Sequence, residues 1–130
     1  MDDSIESVPK STDRTQRCED LRIRTKQFAL RAIKLVEWLP RGKSAEIIGR
    51  QLLRSATSVG ANYRAAQRAR SKAEFRAKLG IVEEECDESS YWLELLHESG
   101  IVKLELLENL IGEANEITAM IVASIQTART

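Results

Sequence analysis

Glu94-Leu95-Leu96-His97 sets a carboxylate and an imidazole at the E-x-x-H spacing that di-iron carboxylate bundles use to hold metal. Such a centre needs two of these motifs and two further carboxylates. His97 is the only histidine in the chain, so a metal-dependent enzyme would require a site shared between subunits. The same histidine would have to serve any Ser–His or Cys–His nucleophile, and nothing in the sequence brings Cys18 or Cys86 to it. The acidic run Glu83, Glu84, Glu85, Asp87, Glu88 looks like an acid–base or metal cluster. Consecutive residues of a helix point in different directions, however, so it is not one constellation. GANYRAA carries one glycine and no G-x-x-x-x-G-K phosphate frame. The reading is a protein with no catalytic, cofactor-binding or metal-ligating residues.

The basic residues carry a stronger signal. RSATSVGANYRAAQRARS, Arg54 to Ser71, contains no acidic residue. At about 100° per residue, Arg50, Arg54, Arg64 and Arg68 fall within an arc of about 80° on one helix. With Arg70 and Lys72 at the following junction, they form a stripe that either tracks the phosphates of RNA or DNA or pairs with acidic residues of a neighbouring subunit. Aromatic residues, which would stack single-stranded bases, are not interleaved with it, since Tyr63 falls on the inward face. On the next helix Glu84, Glu88, Tyr91 and Leu95 share an outward arc. Ile23, Leu30 and Ile33 point away from the core face of the first helix, and Leu106, Leu110 and Ile117 widen the apolar band of the fourth. These surplus apolar positions, with Glu84 and Glu88, predict a homo-oligomer interface. The basic and acidic stripes are complementary but lie on different helices, which favours head-to-tail contacts that close into a ring. A protein-only adaptor would instead place its partner on Tyr91, Trp92 and Leu95.

The elements that position these residues are four long helices. Residues 1–16 are polar, contain Pro9 and show no periodicity, and read as a flexible tail ahead of a bundle domain spanning 17–130. Leu21, Thr25, Phe28, Ala32, Leu35 and Leu39 mark one face of a helix from about Cys18 to Leu39, ended by Pro40-Arg41-Gly42. Ser44 is placed to cap the second helix, whose inward positions are Ile48, Leu52, Ala56, Val59, Tyr63 and Ala66. Ser71-Lys72-Ala73-Glu74 is a capping box opening a third helix with Phe75, Leu79, Val82, Cys86, Ser89, Leu93 and Leu96 inward. Gly100 suits the left-handed residue beyond its end. Leu104, Leu107, Ile111, Ala114, Thr118, Ile121 and Ile125 form the inward register of the fourth. Short loops make successive helices antiparallel neighbours, so the fold is an all-α, up-down-up-down four-helix bundle.

Composition sets the frame. The chain has 130 residues, enough for one domain with a real core. Aromatics make up only 5%, with two prolines and six glycines, which favours a helical protein over a β-sandwich. No apolar run reaches the ~18 residues of a membrane span. MDDSIESVPK is not a signal peptide, and two distant cysteines read as reduced thiols, so the expectation is a cytoplasmic protein without membrane partners. Net charge is zero, yet residues 17–78 carry +11 and residues 79–130 carry −9. The pI near 6.6 lies well below the value of about 9 expected of a dedicated nucleic-acid-binding domain.

QLLRSATSVGANYRAAQRARSKAEFRAKLGIVEEECDESSYWLELL, Gln51 to Leu96, resembles the heart of the bacterial four-helix-bundle proteins named for open reading frames in intervening sequences of 23S rRNA genes. EDLRIRTKQFALRAIKLVEWLP is similar to that family's first helix, and the likeness covers about residues 19–125. It is most specific in R-S-A-T-S-V-G-A-N-Y-R and in the F…E-x-D-E-S-x-Y-W-L-E-L run. The resemblance implies a small non-enzymatic bundle that assembles as a ring-like homopentamer. A relative, the accessory protein of diversity-generating retroelements, is a pentameric barrel that binds a reverse transcriptase and nucleic acid through basic surface. That relative is strongly basic, whereas this chain is neutral overall.

Overall fold

The computed structural model describes residues 10–129, with side chains from Thr15 onward. Four helices follow in order: α1 (Lys10–Trp38), α2 (Lys43–Gln67), α3 (Lys72–Glu98) and α4 (Leu104–Ala128). Each packs on its two neighbours around a closed cycle, and the backbones of diagonal helices stand further apart. The α2–α3 contact is the most extensive and the α1–α4 seam the sparsest. This is the antiparallel four-helix bundle that the spacing predicts. Among the described residues no helix is long and apolar enough to cross a membrane.

α1 begins at Lys10, about two turns before the start near Cys18 that the sequence predicts. Nothing between Pro9 and Trp38 breaks a helix, and Gln16 Nε2 donates to Asp20 Oδ1 at 3.4 Å across one turn. Residues 10–16, expected in the tail, are therefore helical; residues 1–9 lie outside the described residues. The cap of α2 is Gly42 rather than Ser44. Its φ of 151° is a backbone state that side chains disfavour, and it lets the chain turn at once after Pro40. Its carbonyl then accepts the Glu46 N–H at 3.0 Å. At α3, Ser71 Oγ accepts the Glu74 N–H at 3.0 Å as predicted. The Glu74 carboxylate, however, reaches one residue further back, accepting the Arg70 N–H at 2.8 Å.

The core is drawn from all four helices. Leu21, Phe28 and Ala32, then Leu52, Ala56, Val59 and Tyr63, then Leu79, Val82, Leu93 and Leu96 are buried as the periodicity requires. On α4 the register differs. Leu107, Leu110, Ala114, Ile117 and Ile121 are buried, whereas Ile111, Thr118 and Ile125 are only half-buried and Leu104 is exposed. Leu110 and Ile117, expected at an oligomer interface, thus belong to this chain's own core. α4 carries apolar residues on more than one face, so two registers fit its sequence and packing chooses between them.

Among the described residues, every buried side-chain nitrogen and oxygen has a hydrogen-bond partner. Ser55 and Ser89 meet at 2.9 Å across the α2–α3 contact. Ser55 Oγ is also 3.2 Å from the Leu52 carbonyl, and Ser89 Oγ is 2.9 Å from that of Glu85. Small residues here and at Gly60 let backbones approach. A Cβ built on Gly60 would lie 3.3 Å from Thr25 Oγ1 and 3.5 Å from the Thr25 backbone, so α1 and α2 nearly touch at this point.

Candidate nucleic-acid interface

The basic stripe of α2 divides into two halves. Towards the helix start, Arg50 bonds Glu46 of its own helix at 3.0 Å in full solvent. Arg54 reaches across to α3, pairing with Glu85 at 3.2 Å and with Glu88 in a shorter contact. Glu88 also accepts the Trp92 indole N–H at 3.0 Å. That bond first, and Arg54 with it, holds the Glu88 carboxyl below the usual carboxylate range. Glu88 and Arg54 are consequently occupied within one chain, and the complementarity expected between copies is realised between adjacent helices. The acidic run behaves as its geometry demands: Glu85 and Glu88 converge on Arg54, while Glu84 and Asp87 point to solvent.

The other half is different. Arg64, Arg68, Arg70 and Lys72 are exposed, and no side-chain ion pair or hydrogen bond engages any of them among the described residues. Arg64 and Arg68 stand one helical turn apart, about 6 Å between Cβ atoms. Arg70 and Lys72 follow across the tight α2–α3 turn. The antiparallel topology brings further cations to this end. Tyr63 Oη donates to the Cys18 carbonyl at 3.3 Å, fixing α1 beside the end of α2, and Arg17 and Lys72 line the same cavity. Arg76 donates to the Ala128 carbonyl at 3.2 Å, where the last carbonyls of α4 lack helical partners. The sequence reading missed Arg17 and Arg76, because no local pattern links them to α2; only the closing of the bundle does.

It also missed Arg24. This guanidinium donates through Nε and Nη2 to the two oxygens of Glu113 at 2.9 and 2.7 Å and to Glu116 at 2.9 Å. This fork clamps α1 to α4 along their sparse seam. Its hydrogen bonds hold the Glu113 carboxyl below its ordinary range, and Glu113 in turn raises Arg24.

Ile23, Leu30, Tyr91 and Leu106 are exposed, each at 46% or more, and Glu84 also faces solvent. Leu95 is half-buried. Trp38 and Ile47, which the sequence reading did not single out, are more exposed still, at 59% and 60%. Tyr91 packs edge-on against Trp92 with centroids 5.0 Å apart. Glu94 and His97 acquire no third His, Cys, Asp or Glu at metal-binding distance among the described residues. Cys86 is sealed in the core with its Sγ 3.2 Å from the Ala114 carbonyl, and burial pushes its thiol up.

The model of the family described as 23S rRNA-intervening sequence protein matches residues 19–123. The chain belongs to this family. A crystal structure of a protein with unknown function from the S23 ribosomal protein family of Bacteroides thetaiotaomicron is similar at 33% identity. The likeness covers 85% of this chain and 98% of that one, with a TM-score of 0.80. No curated protein matches. The 23S rRNA-intervening sequence family match takes in both halves of the α2 stripe, the Arg24 clamp and the α2–α3 serine contact. The first turns of α1 and the last of α4 fall outside it.

Proposed function

We propose that this member of the 23S rRNA-intervening sequence protein family is a non-catalytic, homo-oligomeric scaffold of the cytoplasm that contacts RNA or DNA through the basic end of its bundle. One observation carries the reading: Arg64, Arg68, Arg70 and Lys72 are exposed and have no side-chain ion pair among the described residues, while Arg50 and Arg54 pair with nearby carboxylates. Unpaired surface cations repel one another, and polyphosphate relieves that repulsion while releasing counterions. The nucleic-acid surface is thereby moved from the whole stripe to its end. Self-association is supported by Ile23 and Leu30, exposed on the face of α1 away from the core. The sequence resemblance leads to a ring, with five copies as the expected number.

The test is fluorescence anisotropy of a labelled single-stranded RNA with the native protein and an Arg64→Glu/Arg68→Glu variant, each checked by light scattering. For four phosphate contacts, affinity should fall about 50-fold between 50 and 200 mM salt. The variant should bind at least ten-fold more weakly while keeping its oligomeric mass. Binding indifferent to salt, or an undiminished variant, would refute the nucleic-acid reading and leave a protein-only adaptor. A wild type that is monomeric at micromolar concentration would refute the scaffold.

A further inference from the structure

At the basic end, the bundle is not closed. A cavity of about 500 Å³ lies between Arg17, Cys18 and Leu21 of α1, the end of α2, the start of α3 and the last turns of α4. Its size falls within the range of about 300–1,000 Å³ typical of small-molecule sites. Leu21, Tyr63, Phe75 and Met120 supply apolar walls, and the small side chains of Ala123 and Ser124 leave the space. The α1–α4 seam, sparsest in the fold, opens here above the Arg24 clamp, whose Nη1 lies 3.3 Å from Met120 Sδ. Among the described residues, the charged side chains in the lining are Arg17 and Lys72, and no carboxylate joins them. Neither cation has an ion-pair partner among the described residues.

We propose that this cavity binds a single-chain amphipathic carboxylate, its hydrocarbon against Leu21, Tyr63, Phe75 and Met120 and its anionic head at Arg17 and Lys72. Apolar walls exclude a phosphodiester backbone, which needs hydration or charge along its whole length. Apolar wall left open to water is costly, and a hydrocarbon chain removes that cost. Two unpaired cations select the sign of the head group. The site shares Lys72 with the proposed nucleic-acid surface but otherwise depends on different residues, so Ala123→Trp and Arg64→Glu/Arg68→Glu make the two ideas fail separately.

Laurate titrated calorimetrically into the full chain, below its micelle-forming concentration, should bind once per chain. Ala123→Trp, which fills the cavity from α4, should weaken laurate at least ten-fold and leave RNA binding unchanged. Arg17→Glu/Lys72→Glu should weaken laurate about ten-fold and leave the uncharged analogue monolaurin unaffected, which separates head-group recognition from wall contact. Arg64→Glu/Arg68→Glu should lose RNA and keep laurate. Circular dichroism confirms that each variant is folded. The proposal is overturned if laurate does not bind at millimolar concentration, if Ala123→Trp binds it as the wild type does, or if monolaurin and laurate respond equally to loss of the cations.

Discussion

Gly60 offers the sharpest test of how closely α1 and α2 are packed. In an isolated helix, Gly60→Ala would stabilise by about 1 kcal/mol, because alanine loses less backbone entropy. In the bundle the added Cβ falls 3.3 Å from Thr25 Oγ1, a few tenths of an ångström too near, with the Thr25 backbone at ordinary contact distance. Thr25 cannot easily yield, since it is 1% exposed and its hydroxyl is 3.2 Å from the Arg22 carbonyl. Overpacking of this kind costs about 1–3 kcal/mol and offsets the gain of about 1 kcal/mol, so Gly60→Ala should fall between neutral and about 2 kcal/mol destabilising. Gly60→Val forces a methyl towards the α1 backbone and should cost about 3 kcal/mol. The decisive measurement is a double-mutant cycle by urea unfolding, followed by circular dichroism at two protein concentrations to hold association constant. In a Thr25→Ala background the close oxygen is gone, and Gly60→Ala should recover about 1 kcal/mol of helix propensity. If Gly60→Ala has the same effect in both backgrounds, or if Gly60→Val is as stable as wild type, the argument from close helix approach is wrong.

Three further outcomes follow from the packing. Ile117→Ala should destabilise the fold by about 2–5 kcal/mol, as for a buried core side chain. Leu106→Ala should change monomer stability by no more than about 0.5 kcal/mol, and comparable losses in urea unfolding would contradict the α4 register. Glu113 has its folded pKa held low by Arg24, so its contribution is full above the unfolded carboxylate pKa of about 4.3 and is lost as pH falls through the lower folded value. Arg24→Met should therefore flatten the stability–pH profile in the acid range below about pH 5, and an unchanged profile would remove the clamp from the account. Under native conditions iodoacetamide should label Cys18 and spare Cys86, whose thiol is buried and raised; mass spectrometry showing equal labelling would mean that the α3–α4 contact opens readily.

The candidate site was legible only in part, for a physical reason that particular residues show. Arg50, Arg54, Arg64 and Arg68 share an arc by helical period alone, so their common face needed no structure. Whether each is free depends on what stands across the groove, and Glu85 and Glu88 reach Arg54 from a different helix. The Arg24–Glu113 fork joins residues 89 positions apart, a separation that no local spacing can register.

By itself, the sequence determined four helices, their antiparallel order and the inward faces of α1, α2 and α3, because one 4-3 stripe per helix, a capping serine and short turns are local chemistry. It also determined that positive charge would outweigh negative through residue 78. Tertiary structure decided the rest. It chose the α4 register, drawing Leu110 and Ile117 inward, since a helix apolar on several faces is oriented only by what it packs against. It also divided the arginines. Antiparallel closure brings the start of α1, the end of α2 and the start of α3 to one end, where Arg17, Arg64, Arg68, Arg70 and Lys72 collect with no side-chain ion pair among the described residues, while the α2–α3 contact supplies carboxylates to Arg54.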